Sequence, residues 1–347
     1  MKRINKKAGC LTLVAILLIA VGILAYRFDQ PGEVPAVIFQ ASPDWETSVD
    51  RPDIQREHVL IQSGKVQLEA DLLIPVGGKE KKGAVIFIAG SGPVTYQAYF
   101  GITQKYVQDV FLPRDMAVLY VNKRGMGESQ GNWKHQDFQD RADDLYATVQ
   151  FLKEHEEIDP DRIGIIGHSQ GGWIVPLTAS QHEDVAFFVS LVGPTTVVWE
   201  QMEDDYENGF RCQGYEGAEL EEKVESILKW DRIGAKIGKI IPLGEIGFQA
   251  GIFDYDPRQA LQTVKSPGLL VFAENDPTVP ADQNLARFDE IFNGNPPDNL
   301  QTVTISGAYH TFHLMDKCLN SIDQILSAPL SDELVQVLQD WLTKQGY

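Results

Sequence analysis

Ile163-Gly164-Ile165-Ile166-Gly167-His168-Ser169-Gln170-Gly171-Gly172 carries an apolar run straight into a serine flanked by glycines, and a second apolar run follows at Trp173-Ile174-Val175. A short apolar run bounded by glycine reads as a buried strand, and the segment after it can start a helix at once. The serine then sits on a sharp strand-to-helix turn, which would lift its hydroxyl clear of the sheet. The pattern Gly-x-Ser-x-Gly recurs at Gly127-Glu128-Ser129-Gln130-Gly131. There the preceding apolar run ends near Asn122, and helical periodicity resumes only around Asp137. Ser129 is therefore expected in a loop, and Ser169 is the candidate nucleophile.

Outward from this turn, apolar runs alternate with helical periods. Ala84–Ala89, Ala117–Val121, Arg162–Ile166, Ala186–Val192, Gly268–Ala273 and Leu300–Ile305 suit strands buried on both faces of a parallel sheet. Phe138, Ala142, Leu145, Val149 and Leu152 form one helical stripe, as do Leu334, Leu338, Trp341 and Leu342 behind a capping Ser331. Glu57–Gln62 and Val66–Leu72, joined by Ser63-Gly64-Lys65, read as an antiparallel hairpin. The expected fold class is α/β: a mostly parallel, doubly wound sheet opened by an N-terminal antiparallel hairpin. Residues 196–257 are too long for an ordinary connection and are expected to form an inserted helical cap over the carboxyl ends of the strands. The expected organisation is a membrane anchor over 1–27, a linker over 28–55, core over 56–195 and 258–347, and the cap between.

A serine hydroxyl needs a base, and the base needs an orienting carboxylate. Asp276 lies in Glu274-Asn275-Asp276-Pro277 after one strand, and His310 lies in Ser306-Gly307-Ala308-Tyr309-His310 after the next. The chain order Ser169, Asp276, His310 makes these three the candidate catalytic residues. Glu274 is the rival acid and His313 the rival base. His168 is too close to Ser169 along the chain to reach its hydroxyl. Two backbone N–H groups are expected to hold an oxyanion: that of Gln170, and that of Ser91 in the turn Ala89-Gly90-Ser91-Gly92-Pro93. His310 and His313 lack a third ligand, so neither a metal nor another cofactor is expected.

From Glu57 onward the chain resembles the α/β-hydrolase superfamily, above all its esterases and serine aminopeptidase-like members. Ala89-Gly90-Ser91-Gly92-Pro93 looks like their oxyanion loop, and Asn122-Lys123-Arg124-Gly125-Met126-Gly127-Glu128-Ser129 is similar to their Arg-Gly-x-Gly-x-Ser loop. Glu274–Pro280 and Gly307–His310 look like their acid and histidine loops. Val94-Thr95-Tyr96 departs from the charged residues that often follow Gly-Ser-Gly-Pro in close relatives. The resemblance implies hydrolysis of a small acyl substrate, a carboxylic ester in the first instance. A peptidase would need carboxylates for a substrate ammonium, and Glu203, Asp204, Asp205 and Glu207 are the candidates. A hydrolase-fold protein that only binds a partner is the third reading.

The chain has 347 residues and a net charge of −19, but its first 27 residues hold five cations and no acid, leaving −24 on the remainder. That acidic body disfavours nucleic acid or anionic lipid as a main partner, since either would need a basic face. Ala8–Tyr26 is 19 residues without a charge, long enough for a spanning helix. With Lys2, Arg3, Lys6 and Lys7 inside, the body is expected outside the cytoplasm, anchored to the membrane. Secretion after cleavage is the alternative. Cys212 and Cys318 are open between a disulfide and two thiols.

Overall fold

The computed structural model describes residues 45–318 and 322–347. The expected membrane anchor at 1–27 lies outside these residues, as does the linker as far as residue 44. Among the described residues, no helix is long and apolar enough to cross a membrane.

Helix α1 (Trp45–Val49) leads into strands β1 (Ile54–Ser63), β2 (Val66–Pro75) and β3 (Lys82–Ile88). Helix α2 (Tyr96–Thr103) follows, then β4 (Met116–Val121), α3 (Phe138–Lys153), β5 (Ile158–His168), α4 (Gln170–Gln181) and β6 (Phe187–Leu191). Four helices come next: α5 (Val198–Cys212), α6 (Gly217–Gly238), α7 (Gly244–Ile252) and α8 (Arg258–Thr263). The chain then forms β7 (Gly268–Ala273), α9 (Ala281–Ile291), β8 (Leu300–Ile305), α10 (Ile322–Ser327) and α11 (Asp332–Lys344).

The eight strands make one sheet in the order β1-β2-β4-β3-β5-β6-β7-β8. β1, β2 and β4 pair antiparallel, whereas every pair from β4 through β8 is parallel. The mostly parallel α/β sheet with an antiparallel hairpin at its start is thus the architecture. Alternation along the strands divides the core into two apolar layers. Ile86 and Ile88 face one layer with Leu145, Val149 and Ile174, and Val85 and Phe87 face the other with Phe187, Leu338 and Trp341. Helix α3 carries a capping box at Asp137 and Asp140, and Ser331 accepts from the backbone of Leu334 at the start of α11. Such caps are worth about 1 kcal/mol each.

The last residues of the segment expected as a patternless linker behave differently. Trp45 is buried, its indole edge against Tyr96, Phe100 and Tyr120. Its Nε1 donates to Asp71 at 3.1 Å. The fully buried Asp71 carboxylate also accepts from Arg56 at 2.8 Å and Tyr96 at 2.9 Å, and pairs with His58 at 2.9 Å. A buried carboxylate persists when its oxygens are satisfied in this way, and here it pins α1 to the sheet.

Candidate active site

Ser169 follows β5 directly and caps α4 with φ 55° and ψ −120°. A non-glycine residue there costs about 1–3 kcal/mol, so the surroundings must hold it. They do so by close approach. A Cβ on Gly167 would lie 2.2 Å from the carbonyl oxygen of Gly171, and one on Gly90 only 3.1 Å from the Ser169 Cβ. The two elbow glycines and the loop after β3 therefore interlock around the serine. Its backbone N–H donates to Leu191 at 2.8 Å.

Asp276 and His310 reach Ser169 from the ends of β7 and β8. His310 Nε2 is 3.0 Å from Ser169 Oγ, and its Nδ1 is 2.7 Å from Asp276 Oδ2. The other oxygen of Asp276 accepts from the backbone of Thr278 at 2.8 Å and Val279 at 2.9 Å. Those bonds fix the carboxylate so that one oxygen is left for the imidazole. Burial lowers the His310 pKa, but the Asp276 charge and hydrogen bond, with the Asp205 charge, outweigh it and raise it above the ordinary histidine value.

The rivals are occupied elsewhere. Glu274 accepts from the backbone of Gly307 at 2.7 Å, and the His313 Nδ1 pairs with the Thr311 hydroxyl at 2.8 Å. Ser129 Oγ accepts from the Glu69 N–H at 2.8 Å and donates to the Asn122 carbonyl at 3.0 Å. Its hydroxyl closes a loop. His168 is buried behind the elbow, and its Nε2 bonds the His310 carbonyl at 3.0 Å.

Two cations that the sequence reading did not single out hold the segments expected to bind an oxyanion. Lys123 Nζ donates to the carbonyls of Gly90 at 2.6 Å and Gly92 at 2.7 Å, on either side of Ser91. Arg141 donates to the Ala89 carbonyl at 2.9 Å and to Gln170 Oε1 at 2.5 Å, joining that loop to the residue after Ser169. Burial pushes the Lys123 ammonium well below its usual range, helped by Arg141, and brings Arg141 down to about 10. Gln170 begins α4, so its N–H is one of the helix's free first-turn donors.

Of the four acids Glu203, Asp204, Asp205 and Glu207 on α5, Asp205 is the one whose charge acts on His310. Burial raises its pKa, the Thr278 hydroxyl and His310 oppose this, and Asp276 adds to it. Asp204 is pushed up to about 7 by burial and by Glu203, Glu207, Glu200 and Asp282. Cys212, the last residue of α5, is bonded to Cys318. Among the described residues, no three His, Cys, Asp or Glu side chains are grouped to hold a metal ion.

Residues 63–230 match the family model of the X-Pro dipeptidyl-peptidases, the S15 family. The acylamino-acid-releasing enzyme of Sus scrofa is 24% identical over 276 residues, which is 74% of this chain and 32% of that protein. The chain thus spans about a third of the length of that curated relative. Est1E from Butyrivibrio proteoclasticus, solved with ferulic acid bound, superposes with a TM-score of 0.55 at 18% identity, covering 83% of this chain and 98% of that one. A Pyrococcus furiosus esterase gives 0.58 at 16% identity, over 91% and 97%. Sheet order, strand-to-helix elbow and these likenesses agree: the chain has the α/β-hydrolase fold and is similar to serine esterases and peptidases that share it.

Proposed function

We propose that the protein cleaves carboxylic esters through an acyl-enzyme formed on Ser169. The observation that carries this reading is the unbroken series of hydrogen bonds from Asp276 through His310 to the Ser169 hydroxyl. His310 takes the hydroxyl proton on Nε2 as Ser169 Oγ attacks the acyl carbonyl, and Asp276 steadies the imidazolium through Nδ1. The N–H groups of Ser91 and Gln170 receive the oxyanion. His310 then passes its proton to the leaving alkoxide. Water, deprotonated by the same nitrogen, releases the acid and restores the serine. No cofactor enters this cycle.

Peptide cleavage is the second reading, favoured by Asp205 beside His310 and by the match to the X-Pro dipeptidyl-peptidase model. Comparing p-nitrophenyl esters with amino-acid p-nitroanilides separates the two. Labelling by a fluorophosphonate probe tests the chemistry they share. Labelling that survives Ser129→Ala and is lost in Ser169→Ala supports it; the reverse pattern, or no labelling of the unmodified protein, refutes it.

We further propose that the body stands outside the cytoplasm on an N-terminal anchor. The basic cluster before Ala8–Tyr26 supports this, as does the Cys212–Cys318 bond, of a kind that forms in oxidising compartments. Secretion after cleavage is the alternative. Detergent extraction and protease protection of the full chain in cells decide between anchored, released and cytoplasmic forms.

A further inference from the structure

Six of the nine large apolar side chains that stand exposed among the described residues fall between Trp230 and Ile246. Trp230 is 68% exposed, and Ile237, Ile240, Ile241, Leu243 and Ile246 are between 44% and 81% exposed. They occupy the end of α6, the turn after it and the start of α7. The turn is tight, closed by Ile240 and Ile241 donating to the Ile237 carbonyl at 2.9 and 2.8 Å. Gly238 lets the helices meet there, since a Cβ would fall 2.3 Å from the Ile246 carbonyl. The six residues therefore form one patch.

The faces of α6 explain why the patch is not core. Leu220, Val224, Leu228, Ala235 and Gly238 are buried and attach the helix to the molecule. Trp230 and Ile237, seven residues apart, lie on another face. Between the two faces runs a basic stripe at helical spacing: Lys229, Arg232, Lys236 and Lys239. Residues 229–243 hold these four cations against one acid, Asp231, in a body of net −24. Lys239 pairs with Asp254 at 2.7 Å, and Arg232 lies over Trp199 at 5.6 Å. Lys229 and Lys236 make no ion pair among the described residues.

An exposed aromatic and aliphatic ridge flanked by a cationic stripe is the surface of an interfacial helix. From this we infer that the α6–α7 tip docks on an anionic lipid bilayer. Two further features select that occupant. The uncharged run Ala8–Tyr26 reaches Trp45 through 18 residues, a reach of roughly 60 Å at most, which would keep the body close to a bilayer. A second copy meeting this patch face to face would set cation against cation. The tip also stands at the reactive end of the sheet. Phe248 of α7 packs on Trp133 at 5.0 Å, in the loop that leaves the carboxyl end of β4, the same end at which Ser169 leaves β5. Docking there turns that end of the sheet toward lipid.

The full chain, carried in mild detergent, is mixed with phosphatidylcholine vesicles bearing brominated acyl chains, with or without phosphatidylglycerol. The readout is the part of the tryptophan quenching that disappears in Trp230→Phe, which separates the tip from any insertion of the N-terminal run. Quenching should require phosphatidylglycerol, weaken about five-fold in vesicle titrations of Lys236→Gln, and vanish in Ile240→Glu and Ile241→Glu. Circular dichroism and melting midpoints of these surface variants should match the parent. Equal quenching in Trp230→Phe and the parent overturns the proposal, as does quenching indifferent to phosphatidylglycerol. If the glutamate variants instead dissociate a sedimenting dimer, or lose a co-purifying protein without changing vesicle quenching, the patch belongs to that partner and the lipid assignment fails.

Discussion

The ring of His168 donates from Nε2 to the carbonyl oxygen of His310, 3.0 Å away, so the residue before the candidate nucleophile holds the backbone of the candidate base. Burial, with His310 adding to it, brings the His168 pKa down to about 3, and the ring is neutral. Its Nδ1 is buried without a partner, as suits a tautomer protonated on Nε2. The edge of the ring faces Tyr99 at 5.6 Å between centroids.

His168→Phe keeps the ring and removes the donor. The expected result is a kcat reduced by about 10-fold to 100-fold with KM little changed, because His310 is loosened rather than lost. The substitution also separates a pH effect. Between about pH 6.5 and pH 3 the unfolded chain protonates this histidine and the folded chain does not, so acid destabilises the fold. Linkage gives about 2 kcal/mol at about pH 5. Urea unfolding should show that acid loss in the parent and a shallower one in His168→Phe.

In the proposed mechanism the pH dependence of activity runs through His310. Attack by Ser169 needs Nε2 unprotonated, so kcat/KM rises with pH through a midpoint above the ordinary histidine value, since Asp276 and Asp205 favour the imidazolium. Asp205→Asn removes one of those charges, and the midpoint moves to lower pH. The contribution of His310 to stability has the opposite sense to that of His168: it is complete below the unfolded histidine pKa and is lost as pH rises through the folded one. A pH profile of the Asp205→Asn variant that superposes on the parent, or shifts to higher pH, contradicts the assignment.

The elbow was legible because it is local: one apolar run, a serine and flanking glycines specify it, and the distance from strand end to serine separates Ser169 from Ser129. Asp276 and His310 were legible for the same reason, each closing a strand. What escaped reading depends on partners far away in the chain. Trp45 sits in a segment without periodicity, and its burial follows from Asp71, 26 residues on. Lys123 and Arg141 bond mainly to carbonyl oxygens, which leave no mark in side-chain patterning. The acidic run on α5 showed four candidate carboxylates, but only the packing of α5 beside Thr278 singles out Asp205.

Cys212 and Cys318 bond across a separation of 106 residues, and a loop that long gives a cross-link its largest entropic effect on the unfolded chain. Cys212→Ser and Cys318→Ser are each expected to lower stability by about 2–5 kcal/mol. Dithiothreitol should reproduce the loss in the parent and add nothing in either variant. Because the bond ties the end of α5 to the chain that continues from the His310 loop, thermal inactivation should precede global unfolding once it is cut. Activity loss and circular dichroism followed on the same samples report the order.

Lys123→Met asks whether the buried ammonium serves stability or the geometry of the loop. The lysine donates to the carbonyls on either side of Ser91, and the Gly90 carbonyl shares its peptide plane with the Ser91 N–H, the proposed oxyanion donor. Burying a cation without a carboxylate is costly, as its strongly lowered pKa records, so an apolar side chain of similar length removes that cost. Two freed carbonyls offset part of the gain, at about 1–3 kcal/mol each if water does not reach them. The melting midpoint should therefore change little. Catalysis has no such compensation, because an oxyanion donor that has turned away is worth about 3 kcal/mol of transition-state stabilisation. The expected outcome is a kcat lower by about 100-fold, near-parental KM and unimpaired labelling of Ser169 at saturating fluorophosphonate. A variant that loses stability and activity in proportion would place Lys123 among the supports of the fold and leave the Ser91 N–H held by Arg141 alone.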